Sequence, residues 1–132
     1  MKRNTHVTGS IIFAIIGTII IKVLLLGSIP DNILNLVKLF LNMRVDIFLI
    51  MIGFSILGGI IPDILDPPFT KRHRRYAHSK ILLLILVIFL IITLILLILN
   101  SSNLIMWSTY YFLIGYISHL SLDSLTPAGL WG

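Results

Sequence analysis

From Ile81 to Leu99 the chain has one non-apolar residue, Thr93, in 19 positions. A run of that length and purity is stable only in hydrocarbon, since roughly 20 apolar residues make a helix that crosses a bilayer. Once this segment is placed in a membrane, its neighbours on both sides must follow it. The composition agrees. Of 132 residues, 58% are hydrophobic and 11% are charged, against roughly 25% charged in an ordinary soluble domain. Such a chain cannot cover itself with polar surface. We expect an all-α integral membrane bundle, forming a single transmembrane domain over residues 1–132.

Three further spans are expected beside 81–99. The first covers about 7–26, after the basic start at Lys2 and Arg3. That start resembles a signal peptide, but no A-x-A site follows, so the run is read as retained. The second covers about 45–61, with Gly53, Gly58 and Gly59 as small faces for close helix approach. Pro62 and the Asp66-Pro67-Pro68 segment are expected to stop it. The last covers about 104–125. Its first half carries Trp107, Tyr110 and Tyr111, read as an interfacial aromatic set. Its second half carries Tyr116, His119, Ser121, Asp123 and Ser124, which cannot all face lipid. Between the first two spans, about 33–43 is too short to cross. Asn35, Lys38 and Asn42 recur on one face, so the segment reads as an interfacial amphipathic helix.

Four spans in series alternate up and down. The start of the first, the end of the second, the start of the third and the end of the fourth therefore share one side. Those ends carry His6, then Asp63 and Asp66, then His73 and His78, then His119 and Asp123. All four histidines and three of the five aspartates converge there, while Asp31 and Asp46 fall on the other side. Seven Lys/Arg lie on the histidine side (Lys2, Arg3, Lys71, Arg72, Arg74, Arg75 and Lys80) and three on the other (Lys22, Lys38 and Arg44). That bias makes the histidine side cytoplasmic, with both termini there. The net charge of +5 is thereby assigned to topology and anionic lipid, with no nucleic-acid partner.

The converging residues suit a divalent metal ion. His119 and Asp123 are one helical turn apart on one face. Asp63 and Asp66 can both turn inward at a helix end. His6, His73 and His78 add nitrogen donors. Neutral imidazoles with carboxylates fit zinc, manganese or iron, and the number of donors leaves room for one or two ions. The expected metal ligands are His6, Asp63, His73, His78, His119 and Asp123. Asp66 is expected as a further ligand or general base, and Arg74, beside Arg75, as the group that holds an anionic substrate. There is no cysteine, which excludes thiolate sites and Cys nucleophiles.

The same residues form a series of motifs. It runs Thr5-His6, then Gly59-x-x-Pro62-Asp63-x-x-Asp66-Pro67, then His73-Arg74 to His78-Ser79, then Gly115-Tyr116-x-x-His119-Leu120-x-x-Asp123-x-x-Thr126-Pro127-x-Gly129. The series resembles the YdjM-like family of LexA-regulated, membrane-bound proteins described as metal-dependent hydrolases. The motifs span nearly the whole chain in the family's order. The resemblance implies a small inner-membrane protein with a metal-dependent hydrolase site. Two departures stand out: Arg75 occupies a position where Gly is common in the family, and members often continue past the segment that here ends at Gly132.

The function expected is hydrolysis of an ester at the membrane surface, with membrane lipid as partner and an anionic phosphoester as substrate. In this reading the metal activates water, Arg74 holds the anion, and Ser79 bonds a ligand from behind. A metal-stabilised scaffold or partner-binding protein is the alternative. Transport of a metal or proton fits less well, because the first three spans carry few polar groups at mid-membrane, where transport sites usually lie.

Overall fold

The computed structural model describes residues 3–27, 32–66, 77–126 and 130. Its five helices are α1 (Arg3–Leu26), α2 (Ile33–Leu41), α3 (Val45–Leu65), α4 (Lys80–Leu99) and α5 (Leu104–Ser124). No strand occurs among the described residues. Three helices are long and apolar enough to cross a membrane: Asn4–Leu25 of α1, Val45–Leu65 of α3 and Lys80–Leu99 of α4.

α5 is the helix that departs from the expected four alike. It packs against α3, α1 and α4, and its buried residues run from Trp107 to Asp123. A helix enclosed by other helices does not need an apolar surface all round. α4 shows the opposite case. Only Thr93 and Leu97 are buried on it, so nearly every side chain must suit hydrocarbon. Thr93 satisfies its hydroxyl within its own helix by donating to Phe89 O at 2.8 Å.

The same enclosure corrects the reading of the aromatic set. Trp107, Tyr110 and Tyr111 are 3%, 3% and 0% exposed, so they are core residues rather than interface anchors. Tyr111 Oη lies 2.9 Å from Thr18 Oγ1, Tyr110 Oη donates to Gly17 O at 3.0 Å, and Trp107 Nε1 donates to Ser101 O at 2.8 Å. Each ring buries its area while its polar atom finds a partner.

Pro62 does not stop α3. The helix continues through it to Leu65, and Asp66 N–H closes the final turn on Pro62 O at 3.0 Å. Proline removes its own N–H and crowds the carbonyl four residues back, yet here the following turn still closes and the helix runs on to Leu65. This extra turn carries Asp63 onto the helix. At the other end α1 begins at Arg3, which places His6 inside it. α2 is shorter than expected and ends at Leu41. Asn32 caps it by accepting from Asn35 N–H at 2.9 Å. It leaves Ile33, Leu34, Val37 and Leu41 exposed and packs Phe40 against the core.

Glycine sets the spacing of α3 and α5. A Cβ on Gly115 would fall on Ser55 O, and one on Gly58 would fall on Phe112 O. The two backbones are in direct contact, as small residues in membrane helices permit. A Cβ on Gly59 would fall on Ser10 Oγ of α1. The three helices are thus closest where α3 and α5 approach their polar ends.

Candidate metal centre

At one end of the bundle the start of α1, the end of α3, the short segment before α4 and the end of α5 meet. They bring together His6, Asp63, His78, His119 and Asp123, with Asp66 beside them. His73 and Arg74 lie outside the described residues.

His119 is fully buried, and its Nδ1 lies 2.7 Å from Gly59 O. A carbonyl only accepts, so Nδ1 carries the proton and donates. In the neutral ring, Nε2 is then a bare lone pair. That lone pair faces His78 Nε2 at 3.1 Å, Asp63 Oδ1 at 3.6 Å and Asp123 Oδ2 at 3.6 Å. His78 is also fully buried, and its Nε2 lies 3.7 Å from Asp63 Oδ1 and 3.4 Å from Asp123 Oδ2. Donors about 2.1 Å from a tetrahedral zinc ion lie about 3.4 Å from one another. The separations here, 3.1 to 3.7 Å, are in that range.

The donors fall into two groups of three, His78–His119–Asp123 and His6–Asp63–His119, with the atoms of each group within 4.8 Å of one another. Both use His119. Its Nδ1 is committed to Gly59 O, which leaves one nitrogen for a ligand bond. The two groups therefore compete for that nitrogen.

The chemistry of the set could hold a cation. Carboxylates and nitrogen lone pairs converge in a bundle that is otherwise hydrocarbon. Buried charge is costly unless it is paired or bound to metal. A divalent ion balances two aspartates and gives the converging lone pairs a common partner, so the residues fit the group.

The Gly59 carbonyl fixes the His119 ring, and charged and polar groups surround the others. Behind His78, Asp66 Oδ2 lies 3.7 Å from Nδ1 and accepts Ala77 N–H at 2.8 Å. A carboxylate behind a metal-binding histidine is a common orienting arrangement. Tyr116 Oη donates to Ala77 O at 3.3 Å, holding the same residue from α5. Ser79 differs from its expected role: its side chain accepts Leu82 N–H at 3.1 Å and caps α4. It therefore sets the chain direction just after His78. The His6 ring stacks on His119 at 3.8 Å between centroids and 18° between planes. His6 Nε2 faces Asp123 Oδ1 at 3.5 Å, the oxygen turned away from His78 and His119. Ser10 donates to His6 O at 2.8 Å and lies 3.1 Å from Ser118 Oγ, tying α1 to α5 one turn below.

Four of the donors, His6, His78, His119 and Asp123, are almost wholly buried, whereas the Asp63 side chain is 36% exposed. Water and solutes reach the cluster most readily on the Asp63 side. The residues that sequence reasoning missed are Gly59 through its carbonyl, Ser10 and Ser118. The glycine pair 58–59 signalled close approach, but a backbone acceptor leaves no mark in side-chain chemistry.

No family model, curated protein or solved structure matches this chain.

Proposed function

We propose that the chain is a membrane-embedded, metal-dependent hydrolase that acts on an ester at the bilayer surface, foremost a lipid phosphoester. The observation that carries this reading is the trio of buried donors His78, His119 and Asp123 beside the more exposed Asp63. Three protein donors with one exchangeable position is the pattern of catalytic zinc sites, whereas structural sites are closed. The mixed nitrogen and oxygen set suits zinc, manganese or iron. Competition for the single available nitrogen of His119 favours one ion at a time. The resemblance to the YdjM-like family points to the same class of activity.

A divalent ion in such a site supplies Lewis acidity and a water-derived nucleophile at neutral pH. The chain's own groups do the rest. His119, locked by Gly59 O, keeps its nitrogen aimed, and Asp66, 3.7 Å behind His78 Nδ1, is placed to orient His78 once it draws closer. Asp63 takes the proton of the attacking water and returns it to the leaving oxygen. The water oxygen bonds to phosphorus as the ester P–O bond breaks. Arg74 is the expected anion-holding group, by sequence alone.

Topology supports a site at the cytoplasmic face of an inner membrane. α5 has the same 21 residues as α3 and lies against all three apolar helices. Both features favour a fourth crossing. By sequence, seven of the ten basic residues belong to the segments on the cluster's side of such a four-span chain, which favours a cytoplasmic location for that side and for both termini.

A second reading has its own observation. Asp63 Oδ1 is 3.7 and 3.6 Å from the same two nitrogens, and a shift toward Asp123, with which it shares no donor group, would close the fourth position. The metal would then staple the bundle as part of a scaffold or partner-binding protein. One experiment separates the two. Protein in nanodiscs is loaded with zinc, manganese or iron and assayed on a phosphoester panel, wild type beside Asp63→Asn. The hydrolase reading predicts metal-dependent turnover in the wild type and metal retention without turnover in the variant. The scaffold reading predicts no turnover anywhere and metal loss in the variant.

A further inference from the structure

Below the metal centre, α1, α4 and α5 leave a groove of about 320 Å³ between them. Phe13, Ile16 and Ile20 form one wall, Leu90 and Ile91 another, and Ile114 the floor. The polar side-chain atom in its lining, Tyr110 Oη, is spent on Gly17 O at 3.0 Å. The groove therefore offers no side-chain polar group to a headgroup, a water or a peptide. It is open because α1 and α4 touch only marginally. Ile16, Ile20 and Ile91 at its mouth are 49%, 49% and 52% exposed, on helices apolar enough to cross a membrane. It faces acyl chains directly.

Its size and position limit the occupant. On α5 the lining runs from Tyr110 to Ile117, about 10 Å along the axis; it ends about 3 Å before the level of His119 on α5, about 10 Å from His6 on α1 and about 15 Å from the start of α4, so an acyl chain in it would extend past its end to reach the centre. Spread over the lined length, 320 Å³ is a cross-section of about 30 Å², against roughly 80–110 Å² for a helix with its side chains. That width suits a single hydrocarbon chain lying within the groove, and it is too narrow for a helix of a second copy to enter bodily.

We propose that this groove holds one acyl chain of a membrane lipid whose phosphate-bearing headgroup lies at the His/Asp centre. The headgroup half rests on the hydrolase reading; the acyl-chain half rests on the groove alone. The substrate is then a lipid taken laterally from the bilayer, with its scissile phosphoester held at the end of the bound chain.

Photo-crosslinking tests both halves. Phosphatidic acid with a diazirine midway along one acyl chain is incorporated at low mole fraction into phosphatidylcholine nanodiscs. A matching diacylglycerol probe lacks the phosphate. Crosslinked residues are mapped by mass spectrometry in the wild type, in Ile91→Trp as a plug, in Leu94→Phe as a milder plug, and in Ile95→Trp. Ile95 is 52% exposed on the same helix and does not line the groove. The expected pattern is several-fold enrichment at Ile16, Ile20 and Ile91 over Leu84 and Ile95. Enrichment is lost in both plugs and kept in Ile95→Trp, with metal content unchanged in all three. Phosphatidic acid labels several-fold more than diacylglycerol, and His119→Ala abolishes that difference while groove labelling persists. Labelling that simply follows exposure, or survives both plugs, overturns the proposal. Groove labelling that is equal for the two probes in protein that binds no metal upholds the acyl site and sinks the hydrolase reading.

Discussion

Gly115 offers a test of how tightly the metal centre depends on helix spacing. A Cβ at this position would overlap Ser55 O and stand 2.8 Å from Ser55 C and 3.0 Å from Ser55 Cα. All three are backbone atoms, so no side chain can rotate away. Gly115→Ala must push α5 from α3 by about 1 Å to reach ordinary van der Waals separation. Overpacking of this kind costs about 1–3 kcal/mol. The site feels it directly. Gly115 lies one turn before His119, and the donors Asp63 and His119–Asp123 sit on opposite sides of that seam. A displacement of about 1 Å exceeds the roughly 0.2 Å tolerance of metal–ligand distances, so metal affinity should fall by about 10- to 100-fold, the size of loss seen when supporting groups are disturbed. Gly53 is the internal control. It lies on α3, and a Cβ there meets nothing within 4 Å. Gly53→Ala should be neutral or stabilising by up to about 1 kcal/mol through helix propensity. The assays are chelator competition for metal affinity and thermal unfolding in one detergent. Equal effects of the two substitutions, or wild-type affinity in Gly115→Ala, would refute the reasoning.

Three further outcomes are expected. Asp66→Asn keeps the carbonyl-type acceptor for Ala77 N–H but removes the charge behind His78, and should weaken metal binding by about 10- to 100-fold with little change in unfolding temperature; an unchanged affinity would show that Asp66 does not orient His78. His6→Ala should cost less metal affinity than His119→Ala, because His6 faces the outer oxygen of Asp123 whereas His119 belongs to both donor groups; the reverse order in parallel competition titrations would place the ion on the His6 side. Tyr111→Phe removes one buried hydrogen bond while Thr18 keeps its bond to Ala14 O, so it should lower stability by about 0.5–1.5 kcal/mol with metal content unchanged; a change in metal content would couple the aromatic core to the centre.

The convergence of His6, Asp63, His78, His119 and Asp123 could be read from the chain because long helices joined by short connections alternate in direction, which dictates which ends meet. Hydropathy locates a span to within a turn, and one turn does not change the side. Finer features escaped the same reasoning for definite causes. The aromatic cluster at Trp107–Tyr111 looks like an interface belt when its helix is taken alone, and becomes core only because three helices enclose α5. Pro62 reads as a stop because its local chemistry breaks a helix, but one missing N–H is easily borne when Asp66 closes the next turn. The Gly59 carbonyl that sets the tautomer of His119 is a tertiary contact between residues 60 positions apart, and nothing in either local sequence encodes it. The role of Ser79 was misplaced because a hydroxyl beside a histidine resembles a partner for it, while the helix start one residue later uses it first.

The most direct test is the metal content of detergent-purified protein never exposed to chelator, by elemental mass spectrometry, wild type beside His119→Ala. A near-stoichiometric divalent ion in the wild type, lost from a variant that remains folded, is the predicted result. Wild-type protein that is folded, monodisperse and metal-free, and that takes up no zinc, manganese or iron on titration, would contradict it. The buried histidines and aspartates would then be a hydrogen-bonded seam between helices.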